Sequence, residues 1–204
     1  EAVVRESVEA MFRADGMAAD AAAACTGVLV TSDLRGNDSH GVSNMLRNYI
    51  EGFLRGRPDR GYKIGGQIYD CIPRPCFKTI RDRPVTAVLD ADGALGIHVA
   101  PHAMRIAITK AKAMGSGTVV VRNAGHFGAI GYYAQMAAKA GCVGQVMLSS
   151  GGNMPPTFGG VSSDVVSSTN CPLVIFLVPN RSTETGHQPN GLGSSGWQRD
   201  AIHA

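Results

Sequence analysis

The chain has 204 residues, 44% of them apolar and 17% charged, ordinary values for a globular protein with a sizeable core. Nineteen basic and 16 acidic residues leave a formal charge of +3. That charge is too small and too scattered for a nucleic-acid footprint, and the apolar run Cys171 to Val178 is far short of a membrane span.

The first helix is expected over Val3 to Arg13, where apolar residues recur at 3, 4, 8, 11 and 12 and Gly16 follows. Alanine-rich Ala18 to Leu34 fits a second. A third opens in the stretch GNDSHGVSNMLRNY, Gly36 to Tyr49, with Asp38 or Ser39 as N-cap and a buried side of Met45, Leu46, Tyr49, Ile50 and Phe53. From Arg57 to Pro84 no period holds, so the expectation is an irregular connection with a short strand at Gln67 to Ile72.

Order returns with a strand at Val85 to Asp90 and a turn at Asp90, Asp92 and Gly93. A helix stripe follows at Ala100, Met104, Ala107, Ile108, Ala111 and Met114, with Pro101 tolerated in its first turn. Gly117 to Val121 reads as a strand. Ile130, Tyr133, Ala134, Ala137 and Ala140 form a helix closed by Gly141. Val143 to Ser149 and Cys171 to Val178 are further strands, the second suited to a buried position. Strands alternating with helices argue an α/β fold. Four units are expected: a helical segment over 1–56, the connection over 57–84, an α/β domain over 85–179 and a low-complexity tail over 180–204.

Five widely spaced cysteines without a CxxC pair point to reduced thiols in a cytosol-like compartment rather than to zinc, and no metal site is expected. No charged-then-apolar leader is visible before Glu1.

Four stretches can carry chemistry. In Asp38-Ser39-His40-Gly41 an imidazole that titrates near neutrality sits beside a hydroxyl and a carboxylate, suited to moving a proton; the same four residues also read as a capped helix start. In RNAGHFGAIGYY, Arg122 to Tyr133, glycines flank His126, so backbone can approach a ligand ahead of a helix N-terminus. Glycines at 125, 128 and 131 are not GxGxxG, which argues against a Rossmann site; a plain strand-to-helix turn is the alternative. SSGGNMPPTFGG, Ser149 to Gly160, can line a ligand through Ser150 or Asn153 or be a loop. In STNCP, Ser168 to Pro172, Thr169 and Asn170 can donate to a phosphate or form a turn.

Together, DLRGNDSHGVS (Asp33 to Ser43), AVLDADGALG (Ala87 to Gly96), VRNAGHFGAIGYY (Val121 to Tyr133), Gly159-Gly160 and STNCP resemble the malate/L-lactate dehydrogenase family of NAD(P)-dependent oxidoreductases, over roughly residues 1–56 and 76–179. The resemblance implies an L-sulfolactate-dehydrogenase-like α/β fold with a non-Rossmann NAD(P)-binding domain, here incomplete, behind the N-terminal helical segment. It implies a cytoplasmic homodimer that moves a hydride between NAD or NADP and a 2-hydroxy or 2-oxo acid such as malate or lactate. Cyclic imino acids, ureidoglycolate and an inactive dimer-forming fragment are the alternatives. By resemblance His40 handles the substrate proton, oriented by Ser39; His126, Phe127, Gly128, Ala129 and Ile130 lie at cofactor and substrate; Thr169 and Asn170 approach the cofactor. Asn44 stands where the family often has an arginine that grips the substrate carboxylate, and Arg47 is the substitute. The family's members are longer, and the stretch around Pro58 to Cys71 stands where they have a short turn.

Overall fold

A computed structural model describes residues 1–55, 63–64, 67–68, 71–148 and 173–179. Helices α1 (Ala2–Ala14) and α2 (Ala19–Leu34) match the two expected helices. Amphipathic α1 buries Val8 and Phe12. By contrast, α2 buries Ala21, Ala22, Cys25, Val28 and Leu29 with no single apolar stripe, because it is packed by α1 and by three later helices. Its small side chains permit that: at Gly27 an added β-carbon would lie 3.0 Å from the Tyr132 hydroxyl.

A 3-10 turn, Asp38–His40, leads into α3 (Val42–Arg47), whose path continues as a widened π-helical segment over Asn48–Leu54. The expected side of Met45, Leu46, Tyr49, Ile50 and Phe53 is buried. The expected caps are not used: the residue before α3 is Gly41, and neither Asp38 nor Ser39 caps it.

Strands β1 (Lys63–Ile64) and β2 (Gln67–Ile68) pair antiparallel, so the strand expected over Gln67 to Ile72 is shorter, and Cys71 and Ile72 lie outside it. The 57–84 connection also contains β3 (Lys78–Asp82), which was not expected. All five of its residues are exposed, as befits an edge strand, so no alternation of apolar and polar residues marks it.

Next come β4 (Thr86–Ala94), α4 (Gly96–Met114), β5 (Gly117–Ala124), α5 (Gly131–Lys139), β6 (Cys142–Met147) and β7 (Leu173–Pro179). Strands β3 to β7 form a mixed sheet in the order β3-β4-β5-β7-β6. β4 and β5 run parallel, joined through α4, while β7 lies between β5 and β6 and is antiparallel to both. Its continuous apolar run fits a strand flanked on both edges.

Three expectations change in this region. The turn at Asp90–Gly93 is a bulge inside β4: φ is positive at Asp92 and Gly93, the register with β5 shifts between Asp90 and Ala94, and the strand runs on. Pro101 lies in the interior of α4 rather than its first turn, because the helix begins at Gly96. Met114, expected on the buried stripe, is 55% exposed at the helix end, where left-handed Gly115 donates to the Ala111 carbonyl.

Ala87, Leu89 and Ala91 of β4 and Val119 and Val121 of β5 join α4, α5, α2 and α1 in one contiguous core. On β6 only alternate residues turn inward: Cys142 is buried and Val146 packs on the core, whereas Val143 and Met147 stay exposed.

A close backbone approach in this core is at the start of β5. A β-carbon on Gly117 would sit 2.2 Å from the Ala107 carbonyl oxygen and 2.9 Å from the Ala111 nitrogen, both backbone atoms of α4. Gly52, in contrast, has none of the described residues within 4 Å of an added β-carbon. Gly117→Ala is therefore expected to cost about 2 kcal/mol, and Gly52→Ala to be neutral or mildly stabilising. Urea unfolding of both variants checks this; native-like stability in Gly117→Ala would show that helix and strand are not so tightly apposed.

Candidate active site

The site is assembled from three segments far apart in sequence. The first is the turn after α2. Asp33, near the end of α2, sends its carboxylate back to the start of α3, where Oδ2 accepts the Val42 N–H at 3.0 Å. It thus performs the capping expected of Asp38 or Ser39. The carboxylate fills the space beside Gly41 so fully that an added β-carbon would lie 1.5 Å from Oδ1. Only glycine fits after His40 while Asp33 holds that position.

Freed from capping, Ser39 serves His40. Ser39 Oγ lies 2.9 Å from His40 Nδ1 and 2.9 Å from Asn37 Oδ1. A hydroxyl has one proton, and the Asn37 oxygen can only accept. Ser39 therefore donates to Asn37 and accepts from His40 Nδ1–H, which leaves the lone pair on His40 Nε2. Asp38, read from sequence as a carboxylate beside the ring, instead offers its backbone carbonyl to the Asn44 side-chain amide at 3.1 Å.

The second segment is the widened helix after α3, which carries Tyr49, fully buried. The third is the loop between β5 and α5, which carries His126. Tight backbone contacts bring that loop inward. A β-carbon on Gly96, at the start of α4, would fall 2.5 Å from the Gly125 carbonyl oxygen and 2.6 Å from that of His126. Gly128 adopts φ +62, and a β-carbon there would be 2.9 Å from Ile97 and 3.3 Å from the Tyr49 hydroxyl. Tyr133 of α5 donates its buried hydroxyl to the Phe127 carbonyl and fixes the loop from the other side.

The result is a pair of imidazoles. The His40 and His126 rings stack with centroids 5.7 Å apart and planes inclined by 18°. His126 Nδ1 is 2.7 Å from the Tyr49 hydroxyl and accepts the Gly128 N–H at 3.2 Å. An N–H can only donate, so Nδ1 carries the lone pair and Nε2 the proton. The two histidines therefore have opposite tautomers. Burial first, and then the neighbouring His40, lower the His126 pKa from 6.5 to about 4. His126 is thus a neutral Nε2–H donor stacked beside the His40 ring.

The remaining expected residues divide. Phe127 and Gly128 are buried within the loop, and Ala129 and Ile130, half-buried, offer their carbonyls to the first turn of α5. Arg47 is not brought to the imidazole pair. Its Nε donates to Glu51 at 2.8 Å, and it lines a groove with Met11, Asp15 and Ile50 against α1. Thr169 and Asn170, together with the loop 149–160, lie outside the described residues. Sequence reasoning registered Tyr49 only as part of a buried stripe and missed Asn37 and the capping role of Asp33. For Tyr49 a signal existed: a buried phenol needs a hydrogen-bond partner, and its oxygen is an odd choice for an otherwise apolar face.

Comparison with known proteins follows the same lines. The family model described as malate/L-lactate dehydrogenase matches residues 1–175. A malate dehydrogenase of Pyrococcus abyssi is 42% identical over 131 residues, which cover 64% of this chain and 32% of that protein. The L-sulfolactate dehydrogenase of Methanocaldococcus jannaschii is 35% identical over 154 residues, 76% of this chain and 40% of that one. The NAD(+) ureidoglycolate dehydrogenase of Escherichia coli K12 is 34% identical over 169 residues, 83% of this chain and 43% of that one. Among solved structures, the malate dehydrogenase of Pyrococcus horikoshii superposes with a TM-score of 0.66 at 34% identity, over 83% of this chain and 44% of its own. The chain spans less than half the length of each of these proteins.

The lowered pKa of His126 makes a measurable claim on stability. The folded state holds the ring neutral down to about pH 4, whereas an unfolded chain protonates it near 6.5. As pH falls through that window the unfolded state binds the extra proton, so stability present above 6.5 is lost towards 4, by up to about 3 kcal/mol. Burial lowers the pKa of His98 and His102 as well, so the native chain alone does not isolate the contribution. Urea unfolding across the window is expected to show a shallower pH dependence in His126→Gln than in the native chain. Equal slopes would mean that His126 titrates normally in the fold.

Proposed function

The chain belongs to the malate/L-lactate dehydrogenase family, and from that premise we propose that it is built to interconvert a 2-hydroxy acid and the corresponding 2-oxo acid with NAD or NADP as hydride carrier. The observation that carries this reading is the stacked His40–His126 pair, one ring a proton acceptor and the other a donor. Such a pair suits a carbon–oxygen centre that loses a hydroxyl proton as it becomes a carbonyl.

Within this reading His40 Nε2 accepts the substrate hydroxyl proton, while Ser39 and Asn37 hold the ring so that Nδ1 stays protonated. The loop from His126 to Ile130 borders the nicotinamide end of the cofactor and the substrate. A β-carbon on Gly131, at the start of α5, would meet none of the described residues within 4 Å, which leaves room beside the helix N-terminus for an anionic group such as a dinucleotide phosphate. Thr169 and Asn170 are assigned to the cofactor on their motif alone. When bound, the nicotinamide supplies or takes the hydride. Antiparallel β7 in the middle of the sheet supports a cofactor domain of non-Rossmann type. Neither Arg47, paired with Glu51, nor Asn44, bound to the Asp38 carbonyl, is assigned to the substrate carboxylate.

The proposal extends to a cytoplasmic homodimer. Among the described residues Cys25, Cys76 and Cys142 are free thiols, which suits a reducing compartment. Among the described residues no helix is long and apolar enough to cross a membrane.

The test is reduced-nicotinamide absorbance with NAD and NADP separately against a panel of L-2-hydroxy acids. Turnover is expected with at least one acid, falling about a hundredfold or more in His40→Ala. Turnover unchanged in that variant would remove His40 from the chemistry.

A further inference from the structure

We propose that Tyr49 is the positioning residue of this site: its phenol, donating to His126 Nδ1, holds the His126 ring as the neutral Nε2–H tautomer and makes that N–H the hydrogen-bond donor to the substrate oxygen. The inference rests on reading the His40–His126 pair as a hydroxy-acid site, and it deepens that reading by dividing the work between the two rings.

Two donors converge on one lone pair. The Tyr49 hydroxyl is 2.7 Å from His126 Nδ1, and the Gly128 N–H is 3.2 Å away. The second donor is backbone and cannot reverse its role. Moving the ring proton to Nδ1 would set an N–H against the Gly128 N–H and force the Tyr49 hydroxyl to turn from donor to acceptor. The 3.2 Å bond to Gly128 is the longer and closes a short local loop, so the phenol supplies the stronger hold.

The phenol itself is pinned. Tyr49 is fully buried. Its ring lies 5.8 Å from Phe53 in a tilted arrangement, and Gly128 leaves just enough room for its hydroxyl. Seventy-seven positions separate the two partners, so this bond also locks the helical segment to the loop between β5 and α5.

The division of labour balances. In the oxidising direction the substrate hydroxyl gives its proton to His40 Nε2, and a bound nicotinamide would be the acceptor for the hydride released from the same carbon. The carbonyl that forms accepts from His126 Nε2–H, whose proton is not transferred. A donor already in place as the oxygen becomes a carbonyl avoids reorganisation at the moment of reaction. Without Tyr49 the ring would sample the Nδ1–H form, and two neighbouring acceptors would then face one oxygen.

Long-range proton–nitrogen spectra of the nitrogen-15-labelled full chain test this directly, with the His126 signals assigned by their loss in His126→Asn. The native chain is expected to show the two well-separated ring nitrogens of an Nε2–H imidazole. In Tyr49→Phe, which keeps the ring packing, those signals should move towards each other as the tautomers interconvert. Tyr133→Phe removes a buried hydrogen bond from the same loop without touching Nδ1, and it should leave the His126 pattern unchanged. In turnover, Tyr49→Phe is expected to lower kcat about tenfold with little change in KM. A His126 pattern unaffected by Tyr49→Phe, or changed equally by Tyr133→Phe, would overturn the assignment. If the native chain turns over no hydroxy acid, the functional reading falls, and the spectra alone decide whether Tyr49 sets the tautomer.

Discussion

The site exists because backbone comes closer to its neighbours than a side chain would allow. Gly96 lets the first turn of α4 rest on the carbonyls of Gly125 and His126, and Gly128 leaves room for the Tyr49 hydroxyl and Ile97. Gly125 itself has no space, since a β-carbon there would fall 2.7 Å from the Cys71 sulfur. These contacts pull the loop between β5 and α5 against the helical segment. The stacking of His40 on His126 depends on that approach, because each ring is anchored in a different part of the chain. On the other side of the pair, Gly41 allows the Asp33 carboxylate to reach Val42, and the turn that carries His40 is fixed by it. Glycine is costly in a folded chain because it loses the most backbone freedom. Here each one answers to a named atom that would otherwise collide.

Much of the helical architecture was legible from periodicity. The stripes of α4 and α5, and the buried side of Met45, Leu46, Tyr49, Ile50 and Phe53, are repeated one-sided burial, which leaves a mark at helical spacing; of the apolar positions expected on α1, Val8 and Phe12 are buried, whereas Val3, Val4 and Met11 are exposed. Edge strand β3 was not legible, because Lys78–Asp82 buries no residue and so has no alternation to read. The bulge at Asp90 was misread for a related reason. Asp, Ala, Asp and Gly are turn residues by local preference, yet the Asp90 carboxylate accepts from the Asp92 N–H at 2.9 Å, the Asn123 amide at 3.0 Å and Arg122 Nε at 3.0 Å. The two bonds from Asn123 and Arg122 of β5 cross the strands and keep the chain running forward where local chemistry alone would reverse it. All three bonds draw Asp90 below the usual carboxylate range, led by the Asp92 backbone N–H.

The site was legible in its residues and not in its wiring. His40, Ser39 and His126 stand out because ionisable groups sit among glycines. Their partners do not stand out. Asp33 looks like a helix-end acid, Asn37 a loop residue and Tyr49 a core aromatic. Each becomes significant only when the fold supplies the second atom of its hydrogen bond. Arg47 illustrates the converse. Its chemistry suited a carboxylate grip, but on α3 it points towards α1 with Ser43, Leu46 and Ile50, while Tyr49 turns to His126. A position two residues away on a helix faces nearly the opposite direction.

Two histidines this close would repel if both were charged, and burial adds a further penalty to charging His126. Among the described residues no carboxylate hydrogen-bonds to His126 to favour the protonated ring. Instead the fold places a backbone N–H, which can only donate and so stabilises only the neutral form, on the same nitrogen as a phenol that donates to the lone pair so fixed. His40 is treated differently: half-exposed, with its Nδ1 against a hydroxyl whose own proton goes to Asn37, it remains open at Nε2. The same side chain is thus given two characters by the polarity of one neighbour each. Desolvation explains why His126 is neutral, but not which nitrogen holds the proton. That choice belongs to hydrogen-bond direction, and it links a tyrosine on the helical segment to the chemistry at the mouth of the sheet.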